Sequence, residues 1–312
     1  MRSSLVTGGA GFIGSHLVDG LLAQGWRVRV LDNLSTGKEA NLAHVQGRID
    51  WVRGSVTDPA LVEQAVKGCE VVFHLAALPS VARSVEAPLE SHEACATGTV
   101  QVLDAARRAG VRRVVYAASS SAYGDIPGAV RRESEPVSPM SPYAAAKLAG
   151  EFYCRCFWSV YRLETVRLRF FNIFGPRQDA SSPYSGVIAI FMALLSDGRA
   201  PRIDGDGLQS RDFTYVANVV QALLKAADAP AAPGNVYNIG TGGSTTVVDL
   251  VRHLNELLGR NIQPTFGPAR AGDVRHSQAD ITLARRDLGY EPAVPFREGL
   301  KKTLEWYQMQ QR

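Results

Sequence analysis

Thr7-Gly8-Gly9-Ala10-Gly11-Phe12-Ile13-Gly14 is the stretch that decides how this chain is read. An apolar pair, Leu5-Val6, precedes it, and an apolar helical pattern from His16 to Leu22 follows. That order predicts a strand, a tight turn and a helix start. Glycines at 8, 11 and 14 suit such a turn, because no side chain keeps a phosphate from the backbone and the last glycine lets helix and strand pack closely. The helix N-terminus then offers N–H groups to a pyrophosphate. The spacing is G-x-x-G-x-x-G, not G-x-G-x-x-G. A glycine triplet alone is weak evidence. The strand before it, the helix after it and an acid downstream turn it into a dinucleotide site.

That acid is Asp32, eighteen residues past Gly14, at the end of a second strand, Arg27-Val28-Arg29-Val30-Leu31. A carboxylate there accepts both hydroxyls of an adenine ribose and repels a 2′-phosphate, so NAD is favoured over NADP. Asn33, Ser35 and Gly37 continue the turn and extend the ribose contacts. A third strand covers Asp50 to Gly54, and Asp58 caps the next helix through Pro59. Capping suffices to explain Asp58, with an adenine contact as the added reading. Val71 to Ala77 reads as a buried strand ending in Leu75, Ala76 and Ala77, where small residues let a ligand lie against backbone. His74 sits inside that apolar run and reads as a packed residue. Leu78 to Ser84, including Ser80, reads as a loop at the carboxyl edge, where open α/β sheets bind ligands.

A long helical pattern runs from Leu89 to Ala109, then a strand, Arg113 to Ala118, runs into Ser119-Ser120-Ser121. Next comes Ser141-Pro142-Tyr143-Ala144-Ala145-Ala146-Lys147. Tyr143 and Lys147 are four apart and share a helical face. An ammonium beside a phenol favours phenolate and makes a usable base. Another strand covers Thr165 to Phe170, after which composition shifts towards loops and short helices such as Val187 to Leu195. A helix at Val216 to Ala227 and a strand at Val236 to Ile239 return to the first core. Gly240 to Ser244 reads as a turn, not a second nucleotide site. Helices at Val247 to Leu258 and Phe296 to Met309 complete the tail.

With 312 residues and 46% hydrophobic content, the chain can bury a sizeable core. Its formal charge is +4, and its arginine pairs never grow into a run, which argues against a nucleic-acid partner. Cys69, Cys95, Cys154 and Cys156 have no zinc-ligand spacing, so no metal is expected, and a reduced cytoplasmic setting is the simplest reading. The first strand begins almost at Met1, so no signal peptide is expected, and no apolar stretch reaches membrane-spanning length.

The chain resembles the extended short-chain dehydrogenase/reductase family nearly end to end, through TGGAGFIGSH, Asp32-Asn33, HLAA, the serines before Tyr123-Gly124, SPYAAAK, RFFNIFGPRQ, SRDF and AGDVRHSQAD. Within it the chain is similar to nucleotide-sugar 4-epimerases, in particular the UDP-N-acetylglucosamine 4-epimerase group. The resemblance implies an α/β, Rossmann-type doubly wound parallel sheet with a smaller, interleaved C-terminal substrate lobe. Residues 1–170, completed by about 209–240, would bind NAD, and 171–208 with 241–312 would bind a UDP-sugar. It implies Tyr143 as base, Lys147 as the group that lowers its pKa and holds the nicotinamide ribose, and Ser119 as the hydroxyl bridging the sugar 4-OH to Tyr143. Gly8, Gly11, Phe12, Ile13, Gly14, Asp32, Asn33, Ser35, Gly37, Asp58, Leu75, Ala76 and Ala77 fall at NAD positions. Ser80, Ser120, Ser121, Asn172, Gln178, Val187, Arg211, Arg270 and Ser277 fall where the family holds the UDP-sugar.

Two positions stand out. Cys95 replaces the asparagine usual near the cofactor, and Ser277 stands where strict UDP-glucose epimerases carry a bulky tyrosine, leaving room for an N-acetyl group. A homodimer through the helices near 90–109 and 143–160 is implied as well. UDP-glucose 4-epimerisation and UDP-glucuronate 4-epimerisation, with Arg83, Arg177 or Arg275 meeting the uronate, remain alternatives. So does a non-catalytic NAD sensor. A 4,6-dehydratase would need an acid/base pair where this chain has only Ser120 and Ser121.

Overall fold

Alternating apolar strands and amphipathic helices build a parallel sheet, because each crossover helix covers one of its faces. The computed structural model describes residues 1–179, 186–269 and 274–310. Seven strands form the main sheet: β1 (Ser3–Thr7), β2 (Arg27–Asp32), β3 (Ile49–Arg53), β4 (Val71–His74), β5 (Arg113–Ser119), β6 (Glu164–Phe170) and β7 (Val236–Ile239). Their order is β7-β6-β5-β4-β1-β2-β3, and every neighbouring pair is parallel. The order reverses between β1 and β4, so a crevice opens at their carboxyl ends.

The longer helices are α1 (Phe12–Ala23), α2 (Pro59–Val66), α3 (Gly98–Arg108), α4 (Pro142–Tyr161), α5 (Val187–Ser196), α6 (Val216–Ala226), α7 (Val247–Leu258) and α8 (Phe296–Gln310). One core layer joins α1 and α6 to one sheet face through Leu17, Leu21, Val28, Phe73, Val219 and Leu223. The other face is covered by α2, α3 and α4 through Val62, Val72, Val102, Leu103, Val114 and Phe157. A separate cluster, with Phe174, Phe191, Met192, Phe213, Leu254 and Leu304, holds α5, α7 and α8 together.

Three local expectations are corrected. The strand read as Val71 to Ala77 ends at His74, because Leu75 and Ala76 turn to donate their N–H groups to Thr7 Oγ1. The expected loop at Leu78 to Ser84 holds a helix, Val81–Glu86, started by Ser80, whose Oγ accepts the Arg83 N–H at 3.0 Å. The single helix expected from Leu89 to Ala109 is interrupted. Pro88–His92 is helical, Glu93–Thr97 forms a π turn around the buried Cys95, and α3 follows.

Short strands tie the C-terminal residues to the site. Ser210–Arg211 pairs in parallel with His276–Ala279, in the register Arg211↔Ser277. His276–Ala279 also pairs with Val130–Arg131, and Thr245–Thr246 pairs antiparallel with Ser210–Arg211.

Candidate active site

The glycine turn is a close-packed cradle. Gly8 has φ +72°, and a Cβ there would lie 2.8 Å from the Ala76 nitrogen. A Cβ on Gly14 would lie 2.1 Å from the Gly8 carbonyl oxygen. Gly11 starts α1 without a side-chain cap, so the first turn, Phe12-Ile13-Gly14, presents its amides to the crevice end of the helix. Asp32 is 7% exposed, and its two oxygens accept the Ala10 N–H at 2.9 Å and the Leu34 N–H at 2.8 Å. Burial pushes its pKa up while those two bonds pull it down. The 33–41 segment folds back on the turn. Asn33 Oδ1 accepts the Ser35 N–H, Gly37 packs against Ala10, and Lys38 N–H and Asn41 Nδ2 both donate to the Ala10 carbonyl. Gly-only packing, uncapped amides and a strand-end carboxylate with no arginine directly after it in sequence fit a dinucleotide with a free ribose.

Asp58 accepts the N–H groups of Ala60 and Leu61 at the start of α2, so the structure gives it a capping role. His74 is the packed residue expected: Nδ1 meets Thr7 Oγ1 at 2.7 Å and Nε2 meets Thr99 Oγ1 at 3.0 Å.

Ser141 accepts the Ala144 N–H at 3.1 Å, and Pro142 opens α4, which sets Tyr143 in its first turn and Lys147 one turn on. Tyr143 is partly buried against Cys95, Ala96 and Ala146, beside Ala77. Ser119 ends β5, bonds Ser121 Oγ at 2.8 Å, and lies close enough to the Tyr143 phenol to pull its pKa down. The net direction is the reverse of the sequence expectation. Burial is the largest influence on Tyr143 and pushes it well above the usual phenol value. Lys147 is not among the groups that offset this, and its ammonium lies 4.3 Å from the centre of the Tyr116 ring.

The residues expected to hold the sugar nucleotide divide. Arg211 and Ser277 are brought side by side in paired strands, and Arg211 Nη1 donates to the Ser210 carbonyl at 2.9 Å. Asn172 has φ +38° and donates Nδ2 to the Asp212 carbonyl. Val187 opens α5 and is partly buried in its cluster. Gln178 donates to the Ile173 carbonyl and lines a small cavity with Trp306 and Tyr307 of α8. Ser80 is the helix cap already described. Arg270 lies outside the described residues.

Asp212 belongs to the SRDF motif but is not singled out by the sequence. Fully buried, it accepts the N–H and hydroxyl of Thr241, the Gly242 N–H and the Ala279 N–H, and its own N–H donates to the Ser277 carbonyl at 2.8 Å. The glycine run at 240–243 therefore wraps a carboxylate, in keeping with its reading as a turn.

A match to the NAD dependent epimerase/dehydratase family covers residues 4–240. The chain belongs to that family. It is similar to a UDP-glucose 4-epimerase of Mycolicibacterium smegmatis, 42% identical over 308 residues, which cover 97% of this chain and 98% of the relative. Among solved structures it is similar to the UDP-glucose 4-epimerase of Thermotoga maritima with UDP-glucose, with TM-score 0.95, 39% identity and full coverage of both chains. The UDP-N-acetylglucosamine 4-epimerase of Methanobrevibacter ruminantium, in complex with UDP-N-acetylmuramic acid, gives TM-score 0.95 and 37% identity over 99% of each chain. The chain is thus an NAD-dependent nucleotide-sugar 4-epimerase, an isomerase, as the resemblance implied.

Proposed function

We propose that this enzyme interconverts UDP-N-acetylglucosamine and UDP-N-acetylgalactosamine, and accepts UDP-glucose and UDP-galactose as well. The observation that carries the reading is Ser277, a small side chain paired in register with Arg211. A large aromatic there would fill the space beside the sugar, and serine leaves it for an N-acetyl group. UDP-glucose alone is the second reading, favoured by the name of the M. smegmatis relative. A uronate substrate has less support, because the arginines it would need are engaged: Arg83 by Glu90, Arg177 by Asp19 and Arg275 by Asp206.

In this reading Tyr143 takes the proton of the sugar 4-OH, with Ser119 bridging the two hydroxyls. Lys147 holds the nicotinamide ribose and, once that face is occupied, favours phenolate. NAD, if held by these residues, would supply the hydride acceptor for the sugar C4. Arg211, with Arg270, grips the diphosphate as a permanently charged fork, so the sugar turns about a fixed pivot. Gly8, Gly11, Phe12, Ile13 and Gly14 hold the pyrophosphate, and Asp32 the adenine ribose. Residues 171–208 and 241–312 supply the sugar-nucleotide lobe, and 1–170 with about 209–240 the cofactor domain.

A homodimer is part of the proposal. Leu89, Phe152, Tyr153 and Val160 are exposed on Pro88–His92 and α4, which pack together. Four free thiols suit a reducing cytoplasm, and among the described residues no helix is long and apolar enough to cross a membrane.

The test is a substrate panel of UDP-glucose, UDP-N-acetylglucosamine and UDP-glucuronate, with each 4-epimer detected directly. Efficient turnover of the N-acetyl sugar supports the reading, and its absence would sink it. In parallel, Tyr143→Phe should lower turnover about 10³-fold with NAD still bound. Normal turnover in that variant would refute the base assignment.

A further inference from the structure

Lys147 is 2% exposed, and among the described residues its ammonium makes no hydrogen bond or ion pair. A buried cation without a counterion is costly, so something else must hold it. The acid one turn further along α4, Glu151, is taken. Arg169 donates Nε to its two oxygens at 3.0 and 3.2 Å and Nη2 at 2.8 Å.

What the ammonium does meet is the ring face of Tyr116, with Nζ 4.3 Å from the centroid. The same tyrosine donates its hydroxyl to the backbone carbonyl of Lys147 at 3.1 Å. Tyr116 therefore touches Lys147 at both ends, main chain and charge. The sequence makes room for this. A Cβ on Gly150 would lie 2.3 Å from the Tyr116 hydroxyl oxygen. Glycine is a poor helix former, and its place in the interior of α4 has this contact as its reason. Tyr116 is itself fixed from behind, fully buried on β5 with its ring 5.6 Å from that of His74.

We propose that Tyr116 is a positioning residue, whose ring and hydroxyl together fix where the Lys147 ammonium sits beside Tyr143 and the cofactor ribose. The proposal rests on the role given above to Lys147. A desolvated ammonium on an aromatic face is stabilised by the ring quadrupole, which here stands in for a carboxylate. The other groups acting on Lys147 are Glu151 and Cys154 on α4, Cys95 on the π turn and His74 on β4, and Tyr143 lies one turn before it on α4. Burial pushes Lys147 down, so the ring works against a pull towards the neutral amine.

The experiment uses the full-length, NAD-loaded enzyme with Tyr116→Phe, Tyr116→Leu and Lys147→Met. Turnover is followed against pH, and NAD release is followed on gel filtration by ultraviolet absorbance. Phe keeps the ring but loses the hydroxyl bond to the Lys147 carbonyl, so it should fall between the wild type and Leu in both readouts. Leu removes the face, so the alkaline limb of the profile should move down by about one pH unit, with faster NAD release. A Leu variant matching Phe in both readouts would overturn the proposal. Should the Leu variant not fold, Gly150→Ala replaces it, since its Cβ drives the Tyr116 ring out of place. An unmoved alkaline limb and NAD release rate in that variant would equally overturn the proposal. Turnover surviving in Lys147→Met would instead refute the role of Lys147, a separate failure from that of Tyr116.

Discussion

Thr7 Oγ1 stands 2.7 Å from His74 Nδ1, across the seam where β1 and β4 part to open the cofactor crevice. His74 is fully buried, and burial lowers its pKa from 6.5 to about 3. The unfolded chain therefore binds a proton between those values that the folded chain refuses. Stability from this group is complete above pH 6.5 and is lost as pH falls towards 3. At pH 5 the loss is about 2 kcal/mol. Urea unfolding of the wild type and His74→Gln from pH 7 to pH 5 checks this, with a shallower decline expected in the variant.

Gly14→Ala would set a methyl 2.1 Å from the Gly8 carbonyl oxygen and 2.8 Å from Gly9 Cα, both backbone atoms. The turn must open, at a cost of about 1–3 kcal/mol. The purified variant should carry much less NAD, measured by its absorbance ratio, and unfold at lower temperature.

Asp212→Ala strips the acceptor from four donors on Thr241, Gly242 and Ala279. Leaving buried donors unpaired costs about 3 kcal/mol. Because Asp212 follows Arg211 and its four side-chain bonds hold the segment that carries Arg211 and Ser277, KM for the UDP-sugar should rise more than tenfold while bound NAD is retained. Equal loss of both ligands would point to general unfolding instead.

Phe152→Glu places a charge in the exposed apolar stripe of α4, where Phe152 is 55% and Val160 68% exposed. Light scattering after size exclusion should find the wild type as a dimer and the variant as a monomer. A monomeric wild type would remove the dimer from the account.

The main sheet and the Tyr143–Lys147 face were legible because both follow from local periodicity. Val71 to Phe73 is apolar throughout, and four residues make about one helical turn. Other features depend on contacts distant in sequence. Ser80 reads as one more loop hydroxyl until the Arg83 N–H is seen to point at it. Asp212 is one letter of a short motif in the sequence, and its partners lie some thirty and seventy residues on. The surroundings of Tyr143 were hidden for a similar reason. Spacing shows that a lysine is near, but not that burial outweighs it or that Tyr116 takes the ammonium.

The edge strand β7 is made of residues 236–239 but lies against β6, which ends at Phe170. During synthesis the open side of β6 must wait for more than sixty further residues to leave the ribosome. A chain cut at 170 would present that unpaired backbone to any neighbour. The halves of this enzyme are therefore poor candidates for separate expression, and fusion tags or nicks are best kept out of the stretch between them.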